Sequence, residues 1–133
     1  DAASDTYSLT EPASAVREGY PCVITLQVTP ITSNYAAKDV QTDLANYLKN
    51  LGAQYPGKWE TWKAASKKLA GGAGYYNNYR GVMSDGTIVR GRVHMAIIGN
   101  NKLLTLHITC PGWYNSSYMK IYDNIYSSIK AIQ

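Results

Sequence analysis

The chain has 133 residues, with 13 Lys and Arg against 9 Asp and Glu, for a formal charge of +4 with both histidines neutral. One domain accounts for that length, and about 150 residues can bury about 70% of their unfolded surface, so a core needs neither metal nor dense disulfides. Hydrophobic residues at 45% exclude disorder, and no apolar run approaches the ~18 residues a spanning helix needs.

Residues 1–21 include Pro12, Gly19 and Pro21 and show no period; they read as an irregular lead-in with a short strand near Tyr7–Leu9. Cys22, Ile24, Leu26 and Val28 then alternate with Thr25, Gln27 and Thr29, the pattern of a half-buried strand stopped by Pro30. Val40, Leu44, Tyr47, Leu48 and Leu51 fall on one helical stripe, with Ser33 or Asn34 to cap its start and Gly52 at its end. Lys58–Leu69 carries helix and strand signals together. Gly57 before it and Gly71-Gly72-Ala73-Gly74 after it favour a strand.

Tyr75–Met83 is the next strand, and Asp85-Gly86 is a two-residue hairpin signal. Thr87–Ile98 and Lys102–Cys110 form a second hairpin about Asn100-Asn101. After Pro111-Gly112, a closing helix carries Tyr118, Ile121, Tyr122, Ile125, Ile129 and Ile132 on one face, with Asn115 or Ser116 as its cap. The order predicts a single α+β domain over 1–133: an antiparallel sheet of about five strands with covering helices.

If each turn is two residues long, Asn77 faces His94, Tyr79 faces Arg92 and His94 faces His107. One sheet face then carries Tyr75, Asn77, Tyr79, Arg90, Arg92, His94, Thr105, His107 and Thr109. The other carries Val82, Val89, Val93, Met95, Ile97, Leu104, Leu106, Ile108 and Cys110 and forms the main core. Cys22 shares the apolar face of its own strand. The two cysteines form a buried disulfide if their Cα atoms lie within ~7 Å, and otherwise stay as two buried thiols.

The polar face supports two readings. As a binding surface it offers Tyr75, Asn77, Tyr79, Arg90, Arg92, His94 and His107. As a small secreted nuclease it would use His94 and His107 as acid and base, with Arg92 on the phosphate. Two histidines without a third close ligand fall short of a zinc set, and no cofactor motif stands out, so no metal or cofactor is expected. Lys58, Trp59, Trp62, Lys63, Lys67 and Lys68 interleave cations and aromatics as a single-strand nucleic-acid platform does. Core Trp with Lys stems at the rim weighs more heavily, so nucleic acid is not the expected partner. The row Tyr118, Tyr122, Tyr126 reads as helix packing, and Asn115-Ser116-Ser117 matches a glycosylation sequon that helix capping explains equally well.

The stretch Gly72-Ala73-Gly74-Tyr75-Tyr76, the Asp85-Gly86 hairpin, Val89–Ile98, Lys102-Leu103-Leu104-Thr105-Leu106, Pro111 and the helix ending Ile125–Ile132 resemble the PsbP-like family, DcrB-like bacterial envelope proteins included. The resemblance spans about residues 57–132, with looser support over 22–52, and rests mainly on hydrophobic patterning. It implies a central antiparallel sheet flanked by helices and non-enzymatic accessory, binding or chaperone roles; no site residue carries over from it. Low charge, paired cysteines and abundant Tyr, Asn and Ser suit a secreted, periplasmic or cell-envelope protein. The chain opens Asp1-Ala2-Ala3-Ser4-Asp5, as a mature form with its signal removed would. The expectation is a binding or accessory protein with a protein partner, no transmembrane segment, and a charge that permits peripheral membrane association. An inhibitor or immunity-type protein presenting a Tyr-rich surface is the remaining alternative.

Overall fold

A computed structural model describes residues 5–10, 22–99, 101–111 and 115–128. Seven strands and two helices follow in the order β1 (Asp5–Thr10), β2 (Val23–Pro30), α1 (Ala37–Gly52), β3 (Trp59–Thr61), β4 (Ala65–Ser66), β5 (Gly74–Val82), β6 (Ile88–Ile98), β7 (Lys102–Pro111) and α2 (Asn115–Ser128). The strands make one antiparallel sheet ordered β1-β2-β7-β6-β5-β3, with β4 also on β5. This is the α+β architecture that the alternation and helical stripes predict. A strand does form in the lead-in, where β1 pairs along the whole of β2's first six residues.

The α1 stripe buries Val40, Leu44 and Leu48 against Tyr79, Val93, Met95 and Leu103. Its cap differs from expectation: Ala36, not Ser33 or Asn34, sits at the N-cap, and Asp39 Oδ2 accepts the Ala36 N–H at 2.8 Å. Gly52 is the last helical residue, and its value is space, since a Cβ there would meet the Trp59 indole at 2.7 Å. The cap expected of Asn115 or Ser116 in α2 falls on side chains outside the described residues. Across the sheet, Tyr122 of α2 packs with Leu69, Ala96, Leu104, Leu106, Ile108 and Cys110. The helices therefore cover opposite faces, and the sheet carries two cores rather than one.

The reason is a shift of one residue at both hairpins. Met83 N–H donates to Thr87 O and Gly86 N–H to Met83 O, both at 2.9 Å, so Ser84, Asp85 and Gly86 make a three-residue loop. Gly86, at φ 88, supplies the left-handed residue such a loop needs. Ile98 likewise pairs with Lys102, leaving three residues between them, with Asn101 at φ 54. Each loop is one residue longer than a two-residue turn. As a result His94 pairs with Tyr76 and Leu106, while His107 pairs with Val93 and Thr25. One residue of slip moves a side chain to the other face of the sheet.

Cys22 and Cys110 are disulfide-bonded, with Cα atoms 4.2 Å apart and 88 positions apart in sequence. The bond ties the start of β2 to the end of β7 within the α2-side core. Among the described residues no helix is long and apolar enough to cross a membrane.

Candidate functional site

The corrected register separates the two histidines. His107, with Tyr75, Asn77, Tyr79 and Thr105, lies on the α1 face; His94, Arg90 and Arg92 lie on the α2 face. The paired imidazoles required by the nuclease reading do not form. Nor do Tyr79 and Asn77 offer surface: they are 1% and 5% exposed.

Each histidine is instead built into a cluster of tyrosines. On the α1 face, Tyr47 Oη lies 2.9 Å from His107 Nδ1 and Tyr79 Oη 2.6 Å from Nε2. Burial lowers the His107 pKa to about 4, so the ring is neutral. A neutral ring has one donor and one acceptor nitrogen, and the two phenols satisfy both. Tyr79 in turn stacks on Trp59 at 5.1 Å between centroids, and Trp59 on Tyr55 at 5.2 Å. The stack exists because Gly91 lies opposite Tyr79 in the sheet: a Cβ there would meet the phenol oxygen at 2.4 Å. Burial raises the Tyr79 and Tyr55 pKa values, so both phenols stay protonated. Beside this cluster, Tyr35 donates its phenol proton to the Asp43 carboxylate.

On the α2 face, His94 is fully buried. Its Nε2–H donates to the Lys67 carbonyl at 2.9 Å, which fixes the tautomer and leaves Nδ1 to accept from Tyr122 Oη at 2.6 Å. Burial lowers its pKa to about 4, and the nearby Lys67 and Arg92 charges push the same way. Tyr126 stacks on the His94 ring at 5.8 Å and donates its hydroxyl to Lys68 O at 2.6 Å. The Arg92 guanidinium lies 4.2 Å from the Tyr76 ring centroid and 4.8 Å from that of Tyr122, with Nε donating to Asn78 Oδ1 at 2.7 Å. Lys67 Nζ lies 4.3 Å from the Tyr126 ring. Neither histidine has a free ring nitrogen for proton transfer. Among the described residues no group of His, Cys, Asp and Glu is placed to hold a metal ion.

Because α2 lies over β7, it divides its face of the sheet in two. Toward β1 and β2 runs an open groove of about 570 Å³, lined by Ile24, Leu26, Leu106 and Ile125 together with Thr6, Tyr7 and Ser8. Toward β6, β5 and β3 the face is basic. Arg80 pairs with Arg90 across the strands, next to Arg92, and Glu60 receives Arg80 at 2.9 Å and Lys58 at 3.8 Å. The lysine- and tryptophan-rich segment splits between roles: Trp59 is packed in the aromatic stack, whereas Trp62 is 50% exposed.

The histidine partners Tyr47 and Tyr122, and the groove residues Tyr7 and Leu106, carry no site signal in the sequence. Tyr122 was legible only as one of a helical row, and the pairings span 28 and 60 residues of sequence, beyond the reach of any local pattern.

No family model and no curated protein matches the sequence. Solved structures do. The Pseudomonas aeruginosa protein PA94, of unknown function, superposes with a TM-score of 0.71 at 13% identity, covering 99% of this chain and 86% of that one. LpqN of Mycobacterium tuberculosis, involved in cell envelope biogenesis, gives 0.67 at 12% identity over 95% and 82%. The cyanobacterial PsbP of Synechocystis gives 0.57 at 13% identity over 92% and 79%. The chain has the PsbP-like fold.

Proposed function

We propose that this protein is a non-enzymatic binding or accessory protein of an exported compartment, secreted or at the cell envelope, and that it holds an apolar ligand in the groove between α2 and the β1–β2 edge. The groove carries this reading. Its 570 Å³ falls within the ~300–1,000 Å³ of small-molecule sites, and aliphatic side chains with the Tyr7 ring line it. Such a lining recognises a long aliphatic or aromatic body and does little chemistry on it. The two histidines add support, since each is locked neutral between partners on a different face. The disulfide supports the compartment, because such bonds persist in oxidising surroundings. LpqN, of the same fold, is described as acting in cell envelope biogenesis.

Titration with the fluorescent apolar probe N-phenyl-1-naphthylamine tests the reading. The protein should enhance its emission saturably, and Tyr7→Asp should weaken binding about tenfold or more by placing a charge beside apolar walls. Tyr7 is 63% exposed, so the substitution spares the fold. No saturable binding, or unchanged affinity in Tyr7→Asp, overturns the reading.

A further inference from the structure

The other flank of α2 carries a second surface. Strand alternation puts Arg80, Arg90 and Arg92 on the α2 face of β5 and β6, and Lys58 and Glu60 on the same face of the neighbouring edge. Trp62 continues that edge: its N–H donates to Asn78 O at 3.1 Å, so the alternation carries its side chain to the side of Glu60 and Arg80. Among the described residues the ion pairs are Arg80–Glu60 and Lys58–Glu60, both on one carboxylate. Neither Arg90 nor Arg92 has a carboxylate partner among the described residues. Arg90 lies directly opposite Arg80 and two residues from Arg92 on the same face, and a fold keeps such like charges together at low cost when an anion outside the chain sits among them. Arg92 is already oriented, held by Asn78 and laid over Tyr76. Trp62, half exposed beside these cations, has the amphipathic ring favoured where lipid meets water.

We propose that this basic face, with Trp62 at its edge, docks the protein on an anionic phospholipid surface. The choice of occupant rests on the exported compartment proposed above, which the disulfide supports and which presents such a face with lipid headgroups rather than nucleic acid. This goes beyond the groove reading, and neither surface depends on the other. Vesicle binding can fail while the apolar probe still fills the groove, and the reverse.

The test is sedimentation with vesicles of phosphatidylcholine alone and of an equal mixture of phosphatidylcholine and phosphatidylglycerol at low salt. The protein should bind the mixed vesicles, be released as salt shortens the screening length, and stay off the neutral ones. Reversing two charges, Lys58→Glu with Arg90→Glu, should cut binding at least about tenfold, since each basic residue near such a surface adds to the attraction. In this variant an unchanged near-ultraviolet circular dichroism spectrum and urea midpoint confirm an intact fold. Tryptophan emission should shift to the blue on mixed vesicles, and Trp62→Ala should lose most of the shift. No binding to mixed vesicles, equal binding to neutral ones, unaltered binding in the double variant, an undiminished shift in Trp62→Ala, or tighter binding to a single-stranded oligonucleotide at the same salt each overturns the proposal.

Discussion

Under α1 the sheet is closed by stacked rings, Tyr55 on Trp59 on Tyr79, with His107 held between phenols and the helix stripe packed over them. Under α2 the same motif recurs, His94 against Tyr122 and Tyr126, but the helix covers β7 and leaves a groove on one flank and cations on the other. A buried, neutral histidine among tyrosines is thus a building unit in both halves. What separates the faces is coverage. Glycine at 91 lets an aromatic ring lie flat across the strands on the α1 side, whereas the α2 side meets solvent through Tyr7, Trp62 and the arginines. Both proposed binding surfaces lie on the face that α2 covers only in part.

Removing the disulfide should break the comparison most severely. Cys22→Ala with Cys110→Ala releases an 88-residue loop in the α2-side core, and should lower unfolding stability by about 4.6 kcal/mol in the chain-entropy model, read by urea denaturation. Acid acts on both faces at once. The histidine pKa values fall from 6.5 to about 4 on folding, so the unfolded chain binds more protons. The contribution is whole above pH 6.5, declines as pH falls and is gone near 4, amounting to about 3 kcal/mol per histidine. Denaturation midpoints across that window should fall without loss of the disulfide; a flat profile would contradict both clusters.

Smaller effects sharpen the contrast. Tyr79→Phe keeps the ring and removes the hydroxyl at His107 Nε2, leaving a buried nitrogen unpartnered at a cost of about 1–3 kcal/mol. Tyr126→Phe, whose hydroxyl meets Lys68 O on the more exposed face, should cost about 1 kcal/mol or less. Equal costs for the two would mean that the α2 face is as closed as the α1 face.

The elements were legible in the sequence because period-two and 3.6-residue patterns survive in β2, α1, β6 and β7, and the boundaries at Pro30 and Pro111 are where those residues interrupt the ladder. Register was not legible. Asp85-Gly86 serves a two-residue or a three-residue loop equally well, and only the left-handed positions of Gly86 and Asn101 at the third place distinguish them. That one residue, taken twice, exchanges the apolar and polar sets of β6 between faces and dissolves the apparent His94–His107 pair. The cation–aromatic spacing around Trp59 and Trp62 was visible. Which tryptophan faced solvent depended on β3 pairing with β5, a contact that no local pattern encodes.

The most direct test is an NMR titration of the two imidazoles from pH 8 to pH 3. If each ring is held in its own cluster, both stay neutral through pH 6, titrate near 4 and do so independently. His94 should keep the Nε2–H tautomer throughout its neutral range. A histidine titrating near 6.5, or two coupled titrations that reveal neighbouring rings, would contradict the account.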